Sequence, residues 1–376
     1  MTFVPLWFIL IAILWTGFFI LEGFDLGVGM LHTVVGRDDA GRRAVINTIG
    51  PLWDGNEVWL IVAAAAMFAA FPGWYATMFS GFYLAIVIFL CALILRGVSF
   101  EYRGKSPRER WRRTWSVLLT VASVIVPFVI GVALGDLLHG LPINSSHEYT
   151  GTFWGLFQPY AILTGITLVA ICVMHGAAFI AMKTTDELRV RAWRIARRVS
   201  PVTAALVLAF IAWTHVEAHG GAFLNVIELI ACIAAVGAVL AVTGDHEGWG
   251  FAATTITMAS CIITLFVDLY PRVMVSSTSP AYSLTVNNTA SNGYTLKLVS
   301  VIALVLLPLV LGYQAWTYYV FRQRISVHHF RPGAAPAAPA PPAPPAQRAP
   351  ALSGPQQAAP AGSRRGGRHR LWRNHH

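Results

Sequence analysis

The sequence predicts an all-α, polytopic membrane protein, and three observations lead there. Of its 376 residues, 56% are hydrophobic and only 12% are charged, against roughly 25% charged in soluble domains. Mean hydropathy is +0.60. Nine apolar segments, at roughly 6–31, 53–71, 77–100, 116–138, 161–182, 201–219, 223–243, 250–271 and 298–321, approach the ~20 residues a helix needs to cross a bilayer.

The first segment has no Lys or Arg before it and carries Glu22 and Asp25. It therefore reads as a retained span and not a cleaved signal. Its stretch "EGFDLGVGML" lacks a GxGxxG fingerprint and follows no strand, which excludes a dinucleotide fold. Gly23 and Gly27 instead offer a thin helix face for close packing. The second segment opens with "WDGNEVWL", which places Asp54, Asn56 and Glu57 in its first turn. "FPGWYATMFSGFY" then reads as an outer turn, with Trp74 and Tyr75 at the membrane interface. The third segment ends in Arg96, with Glu101 and Arg103 just beyond. The fifth holds His175, the best haem-ligand candidate by position, although a lone membrane histidine is more often a hydrogen-bonded packing residue. The sixth is the weakest, because Thr214, His215, Glu217 and His219 crowd its end. Glu228 and Asp268, toward the outer ends of the seventh and eighth, are expected to pair with polar neighbours or a partner chain. Cys91, Cys172, Cys232 and Cys261 fall singly in different segments, without metal-ligand spacing, and read as small core hydrophobes that form no disulfide.

Basic residues mark cytoplasmic loops. Arg37, Arg42 and Arg43 follow the first segment, Arg103 to Arg113 the third, and Lys183 to Arg198 the fifth. The loops after the second, fourth and sixth carry no Lys or Arg. This alternation predicts an N-terminus outside and a C-terminus in the cytoplasm. Two domains follow: a transmembrane body at 1–325 and a Pro/Ala/Arg-rich tail at 326–376, expected to be disordered because it has no core-forming pattern. The tail's basic end suits an anionic lipid surface, and nucleic-acid binding is not expected.

Chemistry concentrates at one depth. Counted from Leu6 at ~1.5 Å per residue, Glu22 and Asp25 lie about 24 and 29 Å along the first helix, near the cytoplasmic edge of a ~30 Å core. Asp54 and Glu57 begin the second segment from that same edge, and Arg96 returns to it on the third. Charges inside a bilayer are costly and often mark proton or ion paths. The residues leave a second explanation open: Asp54 as N-cap and Glu57 three residues on resemble a capping box. Capping does not explain Glu22 and Asp25, which sit in the last turns of their helix, where the dipole disfavours anions.

The motifs "EGFDLGVGML", "NTIGPLWDGNEVWL", "FPGWYATMFSGFYL", "LRGVSFEYR" and "SSTSPAYSLT", in this order, resemble subunit II of cytochrome bd quinol oxidase across residues 1–325. The resemblance implies two four-helix bundles plus one peripheral helix, paired with a similarly built subunit I in a bacterial cytoplasmic membrane. It implies that haems b and d and the quinol site belong to subunit I, so that this chain binds no metal or haem alone. It further implies a role in a respiratory terminal oxidase that oxidises quinol and reduces dioxygen to water. The share expected of this chain is to support subunit I and to take up protons from the cytoplasm through Asp25 and Asp54, with Glu22 and Glu57 beside them. Arg96 and Glu101 are the candidate charge partners. Glu22 stands where Asp can also occur, and Glu57 where Gln can occur, so acidity is kept or added. A structural quinone or lipid, and small accessory membrane subunits, are left open. The alternatives are a proton-coupled secondary transporter, against which the absence of an internal repeat counts, and a purely structural subunit.

Overall fold

A computed structural model describes residues 3–218, 221, 224–244 and 246–331. Most of the expected tail and His219 lie outside these residues. The long helices are α1 (Phe3–Val35), α3 (Trp53–Ala70), α5 (Tyr83–Tyr102), α6 (Glu109–His139), α7 (Pro159–Lys183), α8 (Asp186–Glu217), α9 (Val226–Thr243), α10 (Glu247–Leu269) and α12 (Gly293–Val320). Shorter helices α2 (Asp39–Asn47), α4 (Pro72–Gly81) and α11 (Val286–Thr289) lie between them.

Among the described residues, eight helices are long and apolar enough to cross a membrane, and α3 is not one of them. The sequence-based count of nine is therefore not reached. The reason is local: the first turn of the 18-residue α3 carries Asp54, Asn56 and Glu57, and these offset its apolar remainder. Several helices also overrun the expected segments. α8 starts at Asp186 and not near residue 201, and its 32 residues extend about 48 Å at 1.5 Å per residue. The basic residues from Arg189 to Arg198, expected in a loop, belong to its first half.

α1, α3, α5 and α6 pack as one four-helix group, and α7, α8, α9 and α10 as another. α1 and α6 meet α7 where the groups join. The α1–α7 crossing is backbone on backbone. A Cβ added at Gly27 would sit 2.0 Å from the Cys172 carbonyl oxygen, and one at Gly176 would sit 2.5 Å from Gly27. α12 stands apart, with 6% of its most apolar stretch buried, and leans on α3 and α1.

The segment expected as an outer turn is instead the helix α4, begun by Pro72 at its first turn. Trp74 is 1% exposed and packs against Phe8 and Phe71. It thus belongs to the core and not to an interfacial belt. At this end of the helices, antiparallel strands β1 (Arg272–Met274) and β2 (Leu284–Thr285) pair Met274 with Leu284. Ser276 forms a bridge with Leu141. At the opposite end, residues after α12 fold back over the bundles. Ile325 bridges Thr184, and a 3-10 turn at Val327–Phe330 places Phe330 under Arg43 of α2.

Candidate functional site

Glu22, Asp25, Asn56 and Arg96 are all fully buried, and they come together where α1, α3 and α5 converge. One guanidinium nitrogen, Arg96 Nη1, lies 2.6 Å from Glu22 Oε1 and 2.6 Å from Glu57 Oε1. The guanidinium also lies over the Phe100 ring, 5.1 Å from its centroid. Glu57 is 21% exposed and is the open side of this pair of bridges. Asp25 has no ion pair among the described residues. Its Oδ2 instead accepts a 2.6 Å hydrogen bond from Asn56 Nδ2.

Asn56 is the hub. The same Nδ2 donates to the Leu21 carbonyl at 3.3 Å. Its Oδ1 accepts from Gln314 Nε2 at 2.8 Å and from the Tyr318 hydroxyl at 3.0 Å. The acids are less fully engaged. Glu22 Oε2, Asp25 Oδ1, and Arg96 Nε and Nη2 are buried with no hydrogen-bond partner among the described residues. Two carboxyls share one guanidinium and the third, Asp25, has only an amide, in a setting where a charge needs partners or protons to persist.

The expected residues divide accordingly. Glu22, Asp25, Glu57 and Arg96 form one cluster. Asp54 is exposed, one turn before Glu57, outside the hydrogen-bonded network. Glu101 is exposed and forms no ion pair among the described residues, so it is not the charge partner expected. It lies in the last turn of α5, more than one turn past Arg96, on the exposed side of the helix. Of the second explanation, capping with ion pairing, the ion pairs are present and the capping fails. The N-cap of α3 is Leu52, without a side-chain cap bond, and Glu57 reaches across to Arg96 and not back to the helix start.

Two signals were missed in the sequence. Gln314 and Tyr318 are polar residues four apart in an otherwise apolar helix, a spacing that puts both on one face. Below the cluster, Asp39 accepts from Arg103 Nη2 at 2.8 Å and from Arg112 Nη1 at 2.7 Å. Burial pushes the Asp39 carboxyl up, but Arg103 and Arg112 outweigh it and hold the group below its ordinary value.

Three further polar residues singled out in the sequence form structural contacts. Glu228 accepts from Asn225 N at 2.6 Å in a capping box and lies 3.0 Å from His215 Nδ1. Asp268 accepts from Asn225 Nδ2 at 2.7 Å. Both therefore pair within the chain. His175 Nε2 donates to the Ile20 carbonyl at 3.2 Å, and its Nδ1 lies 2.8 Å from Thr254 Oγ1. Its ring stacks on Phe251 at 4.6 Å.

Comparison with known proteins agrees with this architecture. The chain is 44% identical over 325 residues to cytochrome bd ubiquinol oxidase subunit 2 of Bacillus subtilis, covering 85% of this chain and 96% of that protein. It is 36% identical over 358 residues to cytochrome bd-I ubiquinol oxidase subunit 2 of Escherichia coli K12, covering 85% and 94%. The solved bd oxidase from Geobacillus thermodenitrificans has the same fold, with a TM-score of 0.66 at 16% identity over 85% of this chain and 99% of that one. The family model for cytochrome bd terminal oxidase subunit II matches residues 4–321, and the chain belongs to that family.

Proposed function

We propose that this chain supports a haem-bearing subunit I in a quinol-oxidising, dioxygen-reducing complex and supplies that complex with protons from the cytoplasm. The observation that carries the reading is the cluster in which Glu22 and Glu57 share Arg96 while Asp25 beside them is held only by the Asn56 amide. Dioxygen reduction to water consumes protons, and carboxyls at a membrane edge can bind and release them. Asp54 stands at the solvent side, Glu57 is part-exposed behind it, and Glu22 and Asp25 lie deepest. Arg96 neutralises the two glutamates in turn, while Asp25, without a cation of its own, is left to carry a proton.

The basic-loop pattern supports an N-terminus outside and a cytoplasmic C-terminus in the bacterial inner membrane. By composition, residues from 332 onward act as a solvated cytoplasmic tail. Haems b and d are assigned to subunit I, because the described residues here do not fit a haem. Both ring nitrogens of His175 are engaged by Thr254 and Ile20, and none of the larger cavities is lined by histidine. An apolar groove of about 410 Å³ between α3, α4, α5 and α6, lined by Trp15, Phe68, Phe79 and Phe89, suits a quinone tail or acyl chain.

The test is Asp25→Asn in the purified complex, with Asp54→Asn beside it. Both should assemble with normal haem content. Asp25→Asn should slow quinol oxidation by about tenfold or more. Asp54→Asn should slow it less, because solvent water can reach Glu57 without Asp54. Full turnover by Asp25→Asn would leave only a structural role for the cluster.

A further inference from the structure

The peripheral helix α12 touches the acidic cluster at one place. Along much of its contact with α3 the two helices are separated by an apolar groove of about 340 Å³, lined by Val58, Val62, Leu309 and Val310. Gln314 and Tyr318 cross that gap and both donate to Asn56 Oδ1. The other side of the amide faces α1. The Leu21 carbonyl can only accept a hydrogen bond, so it requires the NH2 group on its side. With the amide so oriented, Asn56 also offers Asp25 a donor and never an acceptor. The Leu21 carbonyl fixes the sense of the amide, and in that sense Gln314 Nε2 and the Tyr318 hydroxyl satisfy the two lone pairs of Oδ1.

We propose that Gln314 and Tyr318 are positioning residues for the acidic cluster: by occupying Asn56 Oδ1 they hold the Asn56 NH2 on Asp25 Oδ2, which leaves Asp25 Oδ1 as the oxygen that takes up and releases a proton. Asp25 Oδ1 is buried with no partner among the described residues, while Oδ2 is held. The groups that face this site are Glu22 and Asp25 on α1, Asn56 and Glu57 on α3, Arg96 on α5 and Tyr318 on α12. None but Gln314 and Tyr318 donates to Asn56 Oδ1. If both are lost, Asn56 Oδ1 is left without a donor and only the Leu21 carbonyl, at 3.3 Å, still fixes the amide, so its hold on Asp25 Oδ2 loosens. The inference rests on the proton-uptake reading and adds to it a residue pair that never contacts the acids.

The experiment uses the complete two-subunit complex with the variants Gln314→Leu, Tyr318→Phe and the double variant. The readouts are quinol oxidation rate, haem content and the infrared carboxyl band that Asp25→Asn abolishes. Each single variant keeps one donor, so its rate should stay within about twofold of the parent while the Asp25 band moves by part of the double variant's displacement. The double variant should slow by roughly tenfold at unchanged haem content, with the Asp25 band displaced. A pair of residues that merely anchors α12 would change yield or stability and leave that band where it is. If the double variant does not assemble, the single variants decide, because loss of either donor should still displace the band. An undisplaced band in both singles, or an assembled double variant with parental rate and band, overturns the inference while a slow Asp25→Asn leaves proton uptake standing. Full turnover by Asp25→Asn overturns both.

Discussion

Replacing Arg96 by Leu isolates what holds the acidic cluster together. The guanidinium is fully buried and is the cation bridging Glu22 and Glu57 at 2.6 Å each. Glu22 has no other ion-pair partner among the described residues. Removing one member of a buried pair strands the other, at a typical cost of about 3–5 kcal/mol. Loss of the ring contact with Phe100 adds a smaller amount, on the order of 1 kcal/mol. At about 2 °C per kcal/mol for a chain of this size, Arg96→Leu should lower the melting temperature of the purified complex by roughly 8–12 °C. Adding Glu22→Gln removes the stranded charge and should recover more than half of the loss. Arg96→Lys should recover stability less fully, because an ammonium cannot present the planar donor face of a guanidinium to two carboxyls. Thermal denaturation followed by loss of haem absorbance, at fixed detergent and lipid, measures all three. An Arg96→Leu complex melting within about 1 °C of the parent would refute the reasoning, as would a Glu22→Gln addition that destabilises it further.

Other consequences are equally open to measurement. Gly27→Ala should cost about 3 kcal/mol or more, since a Cβ 2.0 Å from the Cys172 carbonyl oxygen forces α1 from α7; Gly176→Ala opens the same crossing, so the double variant should melt near the worse single. Asp39 is held below its ordinary value of 3.8, so its stabilising effect is full above that pH and is lost as pH falls through the lowered value. Asp39→Asn should therefore destabilise the complex slightly at neutral pH, the Asp39 carboxyl being about a third exposed and screened, and the difference should close in acid; a gap that widens in acid would contradict the assignment. Truncation after Phe330 should leave assembly and turnover unchanged, because the removed residues have no core-forming pattern, and a large fall in rate at equal yield would assign the tail a role on the body.

The acids of the cluster were legible because charge in an apolar run stands out against its background. Glu22, Asp25, Glu57 and Arg96 could be placed at one depth by counting rise along three antiparallel helices. What counting could not supply was direction around each helix axis. Asp54 and Glu57 are three apart, yet one faces solvent and the other faces Arg96. Glu101 is near Arg96 in sequence but points away from the buried layer. Asn56 drew attention as a polar residue and not as a hub, because an amide reveals its role only through what accepts from it and donates to it. Gln314 and Tyr318 join the site from 258 and 262 residues away, and no local pattern announces a contact of that range. The fold shows the same division. The apolar segments announced the long helices, whereas Trp74 in "FPGWY" looked interfacial and is core, because neighbours from α1 cover it.

The distance in sequence between Asn56 and Gln314 has a consequence for how the chain is made. During synthesis at roughly 5–20 residues per second, the 258 residues that separate them take about 13–50 s to appear. Throughout that interval Glu22, Asp25 and Glu57 are already made. Arg96 arrives 39 residues after Glu57 and can neutralise the glutamates early. The Asn56 amide waits for the last long helix before the donors to its Oδ1 are in place. A nascent or prematurely ended chain thus carries the acids without the finished arrangement around Asp25, which only α12 completes.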